Sequence, residues 1–152
     1  MNYAEKIKSL GLILPPPPKP AGSYRPVVMA GNFAFLSGQI SRTADGKILT
    51  GKAGRDLTLE QAQAAARAAV LNGLGVIQNL VGFEKFERVV RLTGYVQAAA
   101  DFYEISQVMN AASDLLIKIF GEKGAHARSA VGMASLPFNA AVEIEITLQI
   151  KC

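Results

Sequence analysis

The sequence predicts an α+β fold in which one β-sheet carries two long helices on a single face. Three observations predict it. Leu59–Leu80 and residues 106–120 repeat apolar side chains at the 3.6-residue spacing of a helix. Shorter apolar segments bounded by turn residues read as strands, and the last of them, Val142–Ile150, alternates without a break. The order is therefore β-β-α-β-α-β-β, which one sheet with two helices on one face satisfies by layer packing. Nothing else in 152 residues is left to cover the second sheet face. That face must be polar or be covered by another copy.

The elements follow in order. Residues 2–11 form a short amphipathic helix, with Tyr3, Ile7 and Leu10 on one side and Gly11 as its stop. Pro15 to Pro18 and Pro20 force an extended polyproline connector. Residues 1–20 are thus an arm, and residues 21–152 a single domain. Val27–Met29 and Phe33–Leu36 are strands joined by Ala30-Gly31-Asn32, a hairpin turn by composition. Asp45-Gly46 marks another turn.

Thr58 followed by Gln61 makes a capping box for the first long helix, and Gly82 sits at its C-terminal end. Its apolar face is built of Ala62, Ala66, Ala69 and Gly73, small enough for a close approach to a sheet. Arg88–Val96 is a strand. Val108, Ala111, Leu115, Ile119 and Phe120 share the apolar face of the second helix, ended by Gly121. Arg128–Leu136 and Val142–Ile150 are the last two strands, joined through Pro137-Phe138-Asn139.

Composition narrows the function classes. Half the residues are apolar and 18% are charged, which suits a compact chain with a buried subunit interface. Sixteen basic residues against twelve acidic ones give a net charge of +4, but they are scattered, and no basic run marks a nucleic-acid footprint. Cys152 is the only cysteine, so no internal disulfide forms and the expected setting is cytoplasmic. The N-terminus lacks the apolar core of a signal peptide, and no apolar segment is expected to reach the ~18 residues of a membrane span.

Most enzyme templates fail. There is no phosphate loop, GxGxxG or GxSxG. His126 stands alone, without a second His or Cys at ligand spacing, so no metal site is expected. A cluster near the C-terminus remains, running from His126-Ala-Arg128-Ser129 to Val142-Glu143-Ile144-Glu145. Arg128 opens an apolar strand, and its rigid fork fits a carboxylate. On spacing alone it reads rather as structural, paired with an acid or snorkelling at the strand end. Glu143 and Glu145 share one strand face, which on periodicity alone is a solvated one.

At these residues the chain resembles the RidA/YjgF family, also called L-PSP endoribonuclease-like. Three segments carry the resemblance: Tyr24, Gly31-Asn32 and Leu36-Ser37-Gly38-Gln39-Ile40; Asn110; and Ala127-Arg128-Ser129 with Leu136-Pro137 and Val142-Glu143-Ile144-Glu145. The likeness spans residues 20–150. It implies a chorismate-mutase-like mixed sheet, a homotrimer and three clefts between neighbouring subunits. It further implies that Arg128 binds a substrate carboxylate, that Glu143 positions or activates water, and that Tyr24, Ser37 and Asn110 line the pocket. The chemistry implied is cofactor-free hydrolysis of reactive enamines and imines to a 2-keto acid and ammonia. Ala130 stands where deaminating members commonly carry Cys, so a backbone carbonyl rather than a thiol would face the substrate there. Phe120-Gly121-Glu122 and His126-Ala-Arg128-Ser129-Ala-Val-Gly resemble a longer subgroup whose reaction is poorly defined.

Two functions follow from the same cleft: an imine or enamine deaminase, and a non-catalytic binder or sensor of small carboxylate metabolites. Ribonuclease activity lacks a basic patch interleaved with stacking aromatics. Chorismate mutase activity rests on fold analogy alone.

Overall fold

The computed structural model describes residues 2–151; Met1 and the lone cysteine, Cys152, lie outside the described residues. Helix α1 (Tyr3–Ser9) starts from a reciprocal cap. Asn2 accepts from the Glu5 N–H at 2.9 Å, and the Glu5 carboxylate accepts from the Asn2 N–H at 3.0 Å. Gly11, at φ +71°, turns the chain away after it. Tyr3 sits edge-on to Phe83, Phe86 and Phe120, at centroid distances of 6.2, 5.3 and 4.8 Å, and docks the arm on the body. Pro15 is buried where the connector crosses the first long helix. A Cβ on Gly75 would lie 2.2 Å from the Pro15 carbonyl oxygen, so only glycine admits the crossing.

That helix, α2 (Leu59–Val76), begins at the expected capping box, with Thr58 and Gln61 bonded reciprocally at 3.2 and 2.9 Å. Ala62, Ala66, Ala69 and Gly73 are buried, and the missing Cβ of Gly73 would stand 3.1 Å from Ile146 Cδ1. Small residues thus bring helix and sheet together. The expected helix to Leu80 needs one correction. Residues Ile77–Val81 widen into a π-turn, closed by the Gly82 N–H donating to the Ile77 carbonyl at 2.7 Å, with Gly82 at φ +92°. A second correction concerns length: Leu59–Val81 is 23 residues and apolar enough to meet a membrane-span criterion. In this fold its apolar side is the core of the domain.

The strands are β1 (Val27–Ala30), β2 (Phe33–Leu36), β3 (Gln39–Ile40), β4 (Phe86–Gln97), β5 (Ala127–Met133) and β6 (Val142–Ile150). They form one mixed sheet in the order β1-β2-β6-β4-β5, with the short β3 also paired to β6. Every pairing is antiparallel except β4 with β5, which the helix α3 (Ile105–Phe120) connects. A parallel neighbour needs such a crossover. Strands β1 and β2 pair as the expected hairpin, with Val27 opposite Leu36 and Ala30 opposite Phe33. Strand β5 ends at Met133 rather than Leu136, because its partner β4 ends at Gln97, directly opposite Met133.

The core lies between the sheet and α2 and α3. Leu92 and Val96 of β4 and Ile144, Ile146 and Leu148 of β6 are fully or almost fully buried under the helices. Gly94 leaves room for Met109 of α3, whose Cε would lie 2.4 Å from a Cβ there. The opposite face has no layer over it within the described chain. Val28, Phe35 and Val131 on it are 43–52% exposed. These exposed apolar side chains stand beside the polar Glu143, Glu145, Thr147 and Gln149 of β6, so the open face is mixed rather than purely polar.

Candidate functional site

Register decides where each candidate side chain points. Arg128 of β5 pairs with Leu92, and Leu92 lies on the helix-covered face. Side chains directly across a ladder share a face, so Arg128 rises on the helix side at the sheet edge. Asn110 and Ser113, three residues apart on α3, present one face of the helix to it. Arg128 Nη1 donates to Asn110 Oδ1 at 2.9 Å and to Ser113 Oγ at 3.1 Å. Among the described residues Arg128 makes no ion pair, so the structural reading in which it neutralises an acid fails. Both acceptors are neutral, and both lie on Nη1. The Nε–Nη2 edge of the guanidinium, a carboxylate-matching fork, takes part in no hydrogen bond among the described residues. Ala130, two residues on, shares that face and packs against the core.

Glu143 is elsewhere. It pairs with Tyr95 of β4 and Ile40 of β3, on the open face. Its carboxylate lies over Gly38, where a Cβ would come within 1.9 Å of Oε1. Burial, and then the charge of Glu145, push the Glu143 carboxyl above its ordinary range. The Tyr95 hydroxyl is likewise raised, by burial first and then by the charge of Glu145. Ser37 beside them is tied down, its Oγ donating to the Arg25 carbonyl at 2.5 Å and its N–H to that of Pro26 at 2.9 Å.

Ser37, Gly38 and Glu143 belong to a groove of about 680 Å³, with Tyr24 and Lys19 at its wall. Tyr24 is half-exposed, and its hydroxyl accepts from the Ala21 N–H at 3.3 Å. Phe138 also lines the groove, 64% exposed and held at φ +57°, a conformation a bulky side chain rarely adopts. Asn139 beside it receives the Gln97 amide on Oδ1 at 2.8 Å, which fixes the turn.

The predicted residues therefore form two groups. Tyr24, Ser37 and Glu143 share the groove; Arg128 and Asn110 are bonded together on the other face, with Ala130 beside them. A single chain does not bring the groups into contact. Three contributors escaped the sequence reading: Ser113, Gly38 and Phe138. Ser113 carried a usable signal, its i, i+3 spacing from Asn110. Gly38 was marked by the Leu36–Ile40 segment of the resemblance but without a role, and Phe138 carried no signal, since a neighbour's carboxylate and a strained turn become visible only in three dimensions. No three His, Cys, Asp or Glu side chains converge as metal ligands among the described residues.

Fold and site together define a class: small mixed-sheet α+β proteins with an edge arginine and a groove holding a glutamate on opposite faces. Within it, the chain belongs to the RidA/YjgF family, and residues 16–150 match the family described as Endoribonuclease L-PSP. It is 40% identical to Protein TCP17 of Trypanosoma cruzi, over 99% of this chain and 95% of that one. It is 33% identical to a 2-iminobutanoate/2-iminopropanoate deaminase of Dermatophagoides farinae, over 88% and 91% of the two chains. Among solved structures, a protein of unknown function from Agrobacterium tumefaciens superposes with a TM-score of 0.89 at 41% identity, covering 99% of this chain and 94% of its own. A protein described as a putative endoribonuclease, from Shewanella oneidensis, reaches 0.94 at 28% identity, covering 98% and 99%.

Proposed function

We propose that this protein binds a small 2-imino or 2-keto carboxylate in clefts between neighbouring copies of a homotrimer, and hydrolyses the imine. The observation that carries the reading is the unoccupied Nε–Nη2 edge of Arg128, held in place by two neutral acceptors. A guanidinium so fixed, with no acid of its own, is suited to an external carboxylate. The exposed apolar side chains of the open face and the separation of Arg128 from Glu143 support an assembled cleft, to which one copy gives Arg128 and Asn110 and its neighbour gives Glu143, Ser37 and Tyr24. The deaminase relative supports the chemistry.

In this reading Arg128 fixes the carboxylate and draws electron density from the adjacent carbon. An enamine first tautomerises to the imine, its carbon taking a proton and its nitrogen releasing one. Glu143, with its raised affinity for protons, takes one from water as the oxygen bonds to the imine carbon, and returns it to nitrogen. The hydroxyl proton of the resulting carbinolamine then passes to nitrogen as the C–N bond breaks, giving a 2-keto acid and ammonia. No cofactor is required, since the substrate already carries the electrophilic carbon. A non-catalytic binder is the second reading, favoured by Ala130, which offers no thiol beside the arginine. The lone-cysteine composition suits a cytoplasmic setting for either.

The test uses 2-iminopropanoate generated in situ and pyruvate as a binding probe. Arg128→Ala should abolish turnover and weaken pyruvate binding by about 30-fold or more, the usual loss for a bidentate charged partner. Glu143→Gln should keep binding and lose turnover. Binding without turnover in the unmodified protein selects the second reading, and wild-type affinity in Arg128→Ala refutes both.

A further inference from the structure

We propose that Ser113 and His126 are positioning residues which, through a directed hydrogen-bond relay, set the orientation of Arg128 and thereby the affinity of the cleft for carboxylates. The inference rests on the reading of Arg128 as the carboxylate anchor.

The relay starts in the backbone. Gly124 is pressed against α3 so closely that a Cβ there would lie 2.3 Å from the Leu116 carbonyl oxygen. This fixes the direction of the Gly124 carbonyl, which lies 2.5 Å from His126 Nδ1. A carbonyl only accepts, so Nδ1 must carry the hydrogen. In the neutral ring Nε2 then holds a lone pair, and it lies 3.0 Å from Ser113 Oγ. The single hydroxyl hydrogen of Ser113 therefore points at His126. Only lone pairs remain for Arg128, whose Nη1 donates to Ser113 at 3.1 Å. Asn110 Oδ1 takes the second Nη1 hydrogen at 2.9 Å.

Each link has one direction. Gly124 fixes the tautomer of His126, the tautomer fixes the hydroxyl of Ser113, and the hydroxyl fixes one edge of the guanidinium plane. Without His126 the hydroxyl could rotate its hydrogen towards Arg128 and oppose it. The pairing of a serine with a histidine resembles a nucleophile with its base, but here the oxygen's acceptor capacity is turned to a cation. Its role is to hold Arg128, whose other edge remains free for a ligand.

Calorimetric titration of the full-length protein with pyruvate tests this. Ser113→Ala should weaken binding about 5- to 20-fold, and Ser113→Thr, which keeps the hydroxyl, should restore it to within about 3-fold, as expected for one hydrogen bond to a charged group. His126→Phe should weaken binding by a similar factor, and combining it with Ser113→Ala should add little, since both remove the same relay. In an Arg128→Ala background, Ser113→Ala should change nothing further. Wild-type affinity in Ser113→Ala alongside loss in Arg128→Ala overturns the relay and leaves the anchor standing; retained affinity in Arg128→Ala, or no binding by the unmodified protein, overturns the anchor and the relay with it. Should His126→Phe not fold, long-range ¹⁵N–¹H NMR of the unmodified chain decides, because His126 is its only histidine. A neutral ring protonated on Nε2 overturns the relay; one protonated on Nδ1 supports it.

Discussion

Gly38→Ala isolates the placement of Glu143 from its chemistry. Gly38 has no positive φ, so alanine is compatible with its backbone. The added methyl, however, would stand 1.9 Å from Glu143 Oε1, 2.9 Å from Cδ and 3.3 Å from Cγ. Ordinary contact begins near 3.4 Å, so the carboxylate must move by about 1.5 Å, while the strand beneath it need not. Rotating one half-buried glutamate to a second rotamer costs on the order of 1 kcal/mol, which a chain of this size registers as a fall in Tm of about 2–4 °C. Turnover should suffer far more. A displacement of about 1 Å at a proton-transferring group typically lowers the rate about 100-fold. The assay is ammonia release from 2-iminopropanoate, paired with pyruvate titration and a melting curve. The expected pattern is near-normal stability, pyruvate affinity within about 3-fold, and turnover reduced by about two orders of magnitude. Wild-type turnover with Glu143 shown to be displaced would refute the assignment of Glu143 as the group acting on water.

Glu143 also sets a trade between stability and activity. Its carboxyl is raised in the folded chain, so ionising it costs stability, a cost absent below about pH 4 and complete above the raised value. Glu143→Gln should therefore gain about 0.5 kcal/mol at pH 8, a modest figure because the carboxylate is screened by solvent, and nothing at pH 3.5. Urea unfolding at the two pH values checks the sign, and an equal effect at both would rule out the electrostatic origin. Tyr3→Ala removes the ring held by Phe83, Phe86 and Phe120. It should cost about 2–3 kcal/mol in urea unfolding while leaving pyruvate affinity unchanged, since the arm docks far from Arg128. Thr58→Ala should cost about 1 kcal/mol by loss of the α2 cap, and a melt unchanged within error would show the cap to be redundant.

Much of the fold was legible because local chemistry determines it. The Thr58–Gln61 box, Gly82 and Gly121 mark helix ends whatever the surroundings, and Val142–Ile150 alternates because one of its faces is buried. The π-turn after Val76 and the two-residue β3 left no periodic trace, being too short to develop one. The parallel partnership of β4 and β5 is a long-range choice made across α3. Site residues were legible singly and illegible as an arrangement. Arg128 could be named, but its face follows from pairing with Leu92, and that of Glu143 from pairing with Tyr95. Ser113 and His126 are 13 residues apart and meet only because the turn at Gly124 folds back on α3.

The placement of Arg128 and Glu143 on opposite faces has a consequence for inheritance. If each cleft draws one of them from each of two copies, alleles lacking either residue are not equivalent defects but complementary ones. In a cyclic trimer containing both kinds of subunit, one cleft of the three receives an intact Arg128 and an intact Glu143. A cell expressing the two inactive alleles equally would assemble mixed trimers three times in four, and recover about a quarter of normal activity. A single allele lacking both residues would be rescued by neither.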